Sequence, residues 1–141
     1  MSSIVKPNLK NFIKSLRDVG YNFHIALADI IDNSIAAGSK KILIETENNP
    51  KLRLCILDDG KGMNESELIE AMRLGSKDPD DERQKEDLGR FGLGLKTASF
   101  SQCKRLTVLS KKDNKLNVKT WDLETIEEEN EWILSTPPLS E

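Results

Sequence analysis

The chain has 141 residues, 37% of them hydrophobic and 32% charged, with a formal net charge of −3. That length fits one domain with a core of helices on a sheet and leaves no room for a second. The composition describes a folded chain with a well-charged surface. No apolar run approaches the roughly 20 residues of a membrane span, and the net charge gives no electrostatic argument for nucleic-acid binding by the domain as a whole.

The N-terminus, Met1-Ser2-Ser3-Ile4-Val5-Lys6-Pro7, lacks an apolar signal core and reads as that of an intracellular, cytoplasmic protein. Residues 8–19 place apolar side chains at 9, 12, 13, 16 and 19, the spacing of an amphipathic helix, with Gly20 as its stop. A second helix over 22–37 is apolar around much of its circumference, which predicts a mostly buried helix. Midway it carries Asp29, Asp32 and Asn33. Asp29 and Asn33 stand at i, i+4 and share a face. A buried carboxylate and a buried amide on adjacent turns cost free energy unless paired. They either bond to each other or to a neighbouring loop, or they form a polar stripe facing a ligand or metal. His24, the sole histidine, reads as a surface or capping residue.

Gly38-Ser39 ends the helix. Residues 41–46 alternate and are β-branched, the pattern of a strand, and Asn48-Asn49-Pro50 is a turn. Residues 51–57 form a second strand with Leu52, Leu54 and Ile56 on one face, completing a hairpin. That strand runs into Asp58-Asp59-Gly60-Lys61-Gly62-Met63. One reading is an acidic, glycine-rich turn at a sheet edge. The other is a site in which a carboxylate accepts a hydrogen bond from an exocyclic amine while glycine clears room for a flat ring, and adenine meets both demands. Cys55 and Cys103, with no second pair and no histidine cluster, read as buried, reduced thiols and not as metal ligands.

Asn64-Glu65-Ser66-Glu67 is a capping box with Asn in the cap role, opening a helix over 65–74. Residues 75–87 contain no apolar side chain and form either a solvated loop or a functional lid. There follows Leu88-Gly89-Arg90-Phe91-Gly92-Leu93-Gly94-Leu95-Lys96-Thr97-Ala98-Ser99, glycines running directly into a helix over 93–102. Such a stretch is either a tight turn or a phosphate cradle, since glycine admits a close ligand and a helix start offers unpaired N–H donors. Residues 104–110 and 115–121 are two further strands, joined by hairpin material at 111–114. Residues 131–134 form a short fifth strand, and the end at Pro137-Pro138-Leu139-Ser140-Glu141 reads as a cut within a longer domain.

Three separated pieces stand in fixed order: Asp29-x-x-x-Asn33 on a helix, Asp58-x-Gly60-x-Gly62 at a strand end, and Gly89-x-x-Gly92-x-Gly94 before a helix. Together they resemble the GHKL ATPases, the superfamily of gyrase-type topoisomerases, heat-shock chaperones of the ninety-kilodalton class, sensor histidine kinases and MutL proteins. The stretches 29–38 and 88–96 look most like the MORC and MutL branches. The resemblance covers roughly residues 20 to 125 and implies an α+β fold, a two-layer α/β sandwich (the Bergerat fold) whose mixed, mainly antiparallel sheet is covered on one face by helices.

It also implies ATP and Mg²⁺ as ligands. Asn33 is similar to the Mg²⁺ ligand of the family; one amide oxygen is chemically sufficient where phosphates and water supply the rest. Asp58 looks like the adenine reader, with Gly60 and Gly62 admitting the ring and Ala37 and Met63 as apolar walls. Gly89, Gly92, Leu93, Gly94 and Leu95 look like the phosphate cradle, joined by Lys96 and Thr97, while Ser76 and Lys77 fold over with a lid spanning 75–88. Asp29 stands where the family usually has Glu as general base, one methylene longer, and a gap of about 1 Å in a base's reach slows proton transfer. Ala36 stands where many relatives carry an acid. The family's later threonine beside adenine, and its lysine on the γ-phosphate from a following domain, have no counterpart placed in this chain.

The resemblance thus implies Mg-dependent ATP binding with slow hydrolysis, lid closure driving homodimerisation of a larger protein, and a DNA or protein partner reached through other domains. The alternative is a nucleotide-gated interaction module that binds ATP without significant hydrolysis, favoured by Asp29. A sensor histidine kinase would need a phospho-accepting histidine on a separate helical hairpin, whereas His24 lies beside the site's own helix.

Overall fold

The computed structural model describes residues 1–18, 22–73 and 94–139, with the backbone alone for 94–97. Helix α1 (Leu9–Arg17) starts at Asn8, whose side chain accepts the Asn11 amide, and buries Leu9 and Ile13. Helix α2 (Phe23–Ala36) starts at Asn22 in the same way, its side chain accepting from the Ile25 amide. In both, a short polar side chain satisfies a helix N–H that has no partner within the helix.

Strands β1 (Ile42–Asn48) and β2 (Leu52–Asp58) pair antiparallel, with Ile44 opposite Ile56 and Ile42 opposite Asp58. Helix α3 (Glu65–Met72) opens on the expected capping box: Asn64 accepts from the Glu67 amide while the Glu67 carboxylate accepts from the Asn64 amide. Helix α4 (Gly94–Gln102) leads to β3 (Arg105–Lys112) and β4 (Lys115–Asp122), a second antiparallel hairpin. Asp113 and Asn114 both take positive φ, the two-residue turn whose twist matches that of paired strands.

One hydrophobic core joins Leu9 and Ile13 of α1, Leu68 and Met72 of α3, Phe100 of α4, Trp121 of β4, and Leu123 and Ile126. The last two belong to α5 (Leu123–Glu129), a helix the sequence analysis does not predict. Asp122 caps it by accepting from the Glu124 amide, and its i, i+3 pair Leu123 and Ile126 is buried. Trp121 seals the centre by donating its indole N–H to the Met72 carbonyl at 2.8 Å. Trp132 stacks edge-on against Trp121 and Phe12.

The α+β class, helices α1 to α4 and the two antiparallel hairpins agree with expectation. The strands form two separate two-stranded sheets among the described residues, not one continuous layer. Residues 131–134 make no strand; the chain there pairs only through a single bridge between Ser135 and Thr120. The second helix is less buried than its composition predicts: α2 hides only Ala26 and Ser34, while Phe23, Ile25 and Ile35 are exposed. Leu52 and Leu54 of β2 are exposed too, and so is Cys55, expected to be buried. The cause is common to all of them. α2 packs on α4, and α4 in turn on α1, whereas the β1–β2 hairpin lies outside the core cluster. Cys103 is half-buried, and burial raises its thiol pKa.

Candidate functional site

The site is built around the turn that ends β2. Asp58 is the strand's last residue, and both its carboxylate oxygens are held: Ser34 donates its hydroxyl to Oδ2 at 2.7 Å and the Gly60 amide donates to Oδ1 at 2.9 Å. Ser34 is 5% exposed, so α2 delivers a buried hydroxyl to an exposed carboxylate. Two donors fix the plane of a group that would otherwise rotate. A carboxylate has about four lone-pair sites, so two remain for a ligand.

The turn is fastened to the end of α2 at further points. The Lys61 amide donates to the Ala37 carbonyl at 3.0 Å. Asp59 accepts from the Lys40 and Lys41 amides at 2.7 and 2.8 Å, and those bonds, Lys41's first, lower its pKa. Gly60 sits so close that a Cβ there would lie 2.9 Å from the Ala37 side chain and 2.8 Å from Ser39 Oγ. Gly62 has φ of 68°, and a Cβ on it would overlap the Lys111 carbonyl. The two glycines are therefore demanded by the chain's own packing, a reason distinct from room for a ring. Met63 is half-buried and packs against the core.

Asp29 and Asn33 lie on α2 about two turns and one turn before Ala37, respectively, at half-buried positions. Among the described residues neither side chain has a hydrogen-bond or ion-pair partner, so they are not the mutually bonded pair that a structural role would require. Gly94, Leu95, Lys96 and Thr97 form the first turn of α4, the helix packed against α2. Gly89, Gly92, Leu93, Ser76, Lys77 and the 75–88 segment lie outside the described residues. His24 is exposed, with its ring edge-on to Phe23.

The structure thus brings Ala37, Asp58 and Gly60 together at one end of α2, holds Gly62 and Met63 against the end of β3, and puts α4 alongside α2. Sequence reading missed Ser34. It stands next to Asn33 and one turn from the end of α2, and a buried hydroxyl there has a helix carbonyl as its ordinary partner, so nothing local announces Asp58. No group of three or more His, Cys, Asp or Glu that could hold a metal occurs among the described residues. A hard cation drawing most of its ligands from phosphate and water needs only one amide oxygen, and that of Asn33 has no partner among the described residues. No helix among the described residues is long and apolar enough to cross a membrane.

The family described as histidine kinase-, DNA gyrase B- and HSP90-like ATPase matches residues 21–141. The chain is 33% identical over 96 residues to the mouse protein ATPase MORC2B, covering 65% of this chain and 9% of that one. It is 30% identical over 115 residues to human MORC family CW-type zinc finger protein 1, covering 74% and 11%. It is 33% identical over 108 residues to the DNA mismatch repair protein MutL of Leptospira biflexa, covering 75% and 17%. The matched region is thus between 9% and 17% of the length of these relatives.

Proposed function

The chain belongs to the histidine kinase-, DNA gyrase B- and HSP90-like ATPase family, and from that premise we propose that it binds ATP with Mg²⁺ at the end of α2 and hydrolyses it slowly. The observation that carries this reading is the doubly held Asp58 carboxylate, set beside a helix whose Asp29 and Asn33 have no partner among the described residues. Asp58 accepts the exocyclic amine of adenine on its free lone pairs, and Ala37 and Met63 flank the ring. Asn33 supplies an amide oxygen to Mg²⁺, which when bound neutralises phosphate charge. Backbone N–H groups around Gly89, Gly92, Leu93, Gly94 and Leu95 take the phosphates, with Lys96 and Thr97 beside them. Asp29 orients the attacking water.

Replacing Asp58 with Asn tests this directly. The amide presents a donor where the adenine amine needs an acceptor, and losing a charge-assisted bond weakens ATP about 10- to 100-fold. Unchanged affinity in a calorimetric titration overturns the adenine site.

Segment 75–88, carrying Ser76 and Lys77, is assigned as a lid on its composition and its position before the glycine run. In a longer chain, its closure over ATP joins two copies, and further domains reach a DNA or protein partner. A second reading, a switch that binds ATP without useful hydrolysis, is favoured by Asp29, whose reach is shorter than that of Glu. Single-turnover measurement separates the two: ATP lost only at the uncatalysed rate leaves the switch.

A further inference from the structure

The turn of residues 58–63 has two ends, and α2 holds only the first. The second is held by the last three residues of β3. The Met63 amide donates to Ser110 Oγ at 2.7 Å. Gly62 passes under the Lys111 carbonyl, closely enough to exclude any side chain at that position. Lys112 Nζ donates to both oxygens of Glu67, at 2.8 and 2.9 Å, in the first turn of the helix that follows. Ser110, Lys111 and Lys112 therefore engage Met63, Gly62 and Glu67.

Ser110 is the least replaceable of the three. It is 9% exposed, and its hydroxyl takes no part in the β3–β4 ladder, where its backbone faces Asn117. Its side chain is the acceptor that the structure gives to the Met63 amide, and a part-buried N–H left without an acceptor moves to find one. Lys112 acts at a half-buried surface position, where an ion pair is worth little. Lys111 acts through its backbone, which substitution leaves in place.

We infer that Ser110 is a positioning residue for the base of the nucleotide: by fixing the Met63 amide it sets Gly62 and Met63 against the face of adenine, as Ser34 sets Asp58 against its edge. The inference rests on the ATP reading of the site. It assigns specificity for the base to two serines, one from each structural half of the molecule, and neither needs to touch the ligand.

The test compares ATP with ribose 5-triphosphate, which keeps the phosphates and lacks the base, on the whole 141-residue chain. Ser110→Ala is expected to weaken ATP about tenfold, the loss typical of one hydrogen bond. It is expected to leave ribose 5-triphosphate affinity unchanged, and Ser110→Thr, which keeps the acceptor, is expected to restore ATP binding. Equal weakening of both ligands, or no weakening of either, overturns the role of Ser110. Asp58→Asn run alongside keeps the two claims apart: if it weakens ATP while Ser110→Ala does not, the adenine site stands and the positioning role falls; if Asp58→Asn has no effect, the adenine site itself falls. Should Ser110→Ala fail to fold, Ser110→Cys, with nearly the same volume and a weaker acceptor, carries the same expectation.

Discussion

Asp58 ends a strand with one oxygen on a helix hydroxyl and the other on a backbone amide two residues ahead. A side chain held at both oxygens tolerates little. Ser34→Ala is expected to weaken ATP about 5- to 20-fold, because Oδ2 then loses its donor and the carboxylate plane is free to turn; calorimetric titration of the variant checks it, and an affinity equal to wild type would show the hydroxyl to be idle. Asp29 makes the complementary case, since its effect is expected in rate and not in affinity. On the proposed role of Asp29, Asp29→Glu extends the carboxylate by one methylene, about 1 Å, and is expected to raise single-turnover hydrolysis, while Asp29→Asn is expected to abolish it with ATP affinity kept. Asn33 and Asp58 are legible in the sequence because a polar group on an apolar helix, or a carboxylate after an apolar strand, breaks a local pattern. Ser34 breaks none, and only the fold reveals that its hydroxyl crosses to Asp58. Gly60 and Gly62 are legible as glycines, but their cause, contact with Ala37, Ser39 and the Lys111 carbonyl, is long-range and invisible in the chain.

At the scale of elements, local chemistry predicts well wherever it decides the outcome alone. The Asn64 capping box, the Asp113-Asn114 turn and both hairpins follow from neighbouring residues. α5 is hard to read because Glu127, Glu128 and Glu129 look like a solvated charge run, although Asp122 before an i, i+3 apolar pair marks a helix start. Burial is the least legible feature in the chain, because an apolar face announces that it wants cover and not what covers it. The two kinds of apolar residue are separable by experiment. Phe100 is 1% exposed on α4, and Phe100→Ala is expected to cost about 3–5 kcal/mol of stability. Leu52 is 73% exposed on β2, and Leu52→Ala is expected to change stability by less than about 0.5 kcal/mol. Urea midpoints of the two variants check both; a large loss at Leu52 would show that the hairpin packs against something in solution.

Across the whole molecule, carboxylates fasten the parts that build the site. Asp59 ties the end of β2 to the amides that precede β1, Glu65 takes Lys119 of β4 at 3.0 Å, and Glu67 takes Lys112 of β3. Each is held below its ordinary value: Asp59 by the Lys41 and Lys40 amides, Glu65 by the Lys119 ammonium, Glu67 first by Lys112 and then by the Asn64 amide. A carboxylate with a lower pKa folded than unfolded binds more protons when unfolded, so stability rises with pH through the interval between the two values. The contribution is complete above the ordinary values of 3.8 for Asp59 and 4.5 for the glutamates, and is lost as pH falls through their lowered folded values. Urea midpoints are therefore expected to hold steady from neutral pH down to about pH 5 as far as these groups decide it, then to fall on further acidification. The double variant Glu65→Gln and Glu67→Gln removes two of the three groups and should flatten that fall while lowering the neutral plateau only slightly, as exposed pairs are worth little. An acid slope as steep in the double variant as in wild type would place the titrating groups elsewhere, and the clasp between α3 and the β3–β4 hairpin would then be held by its packing and by neutral hydrogen bonds, Met63 to Ser110 and Trp121 to Met72.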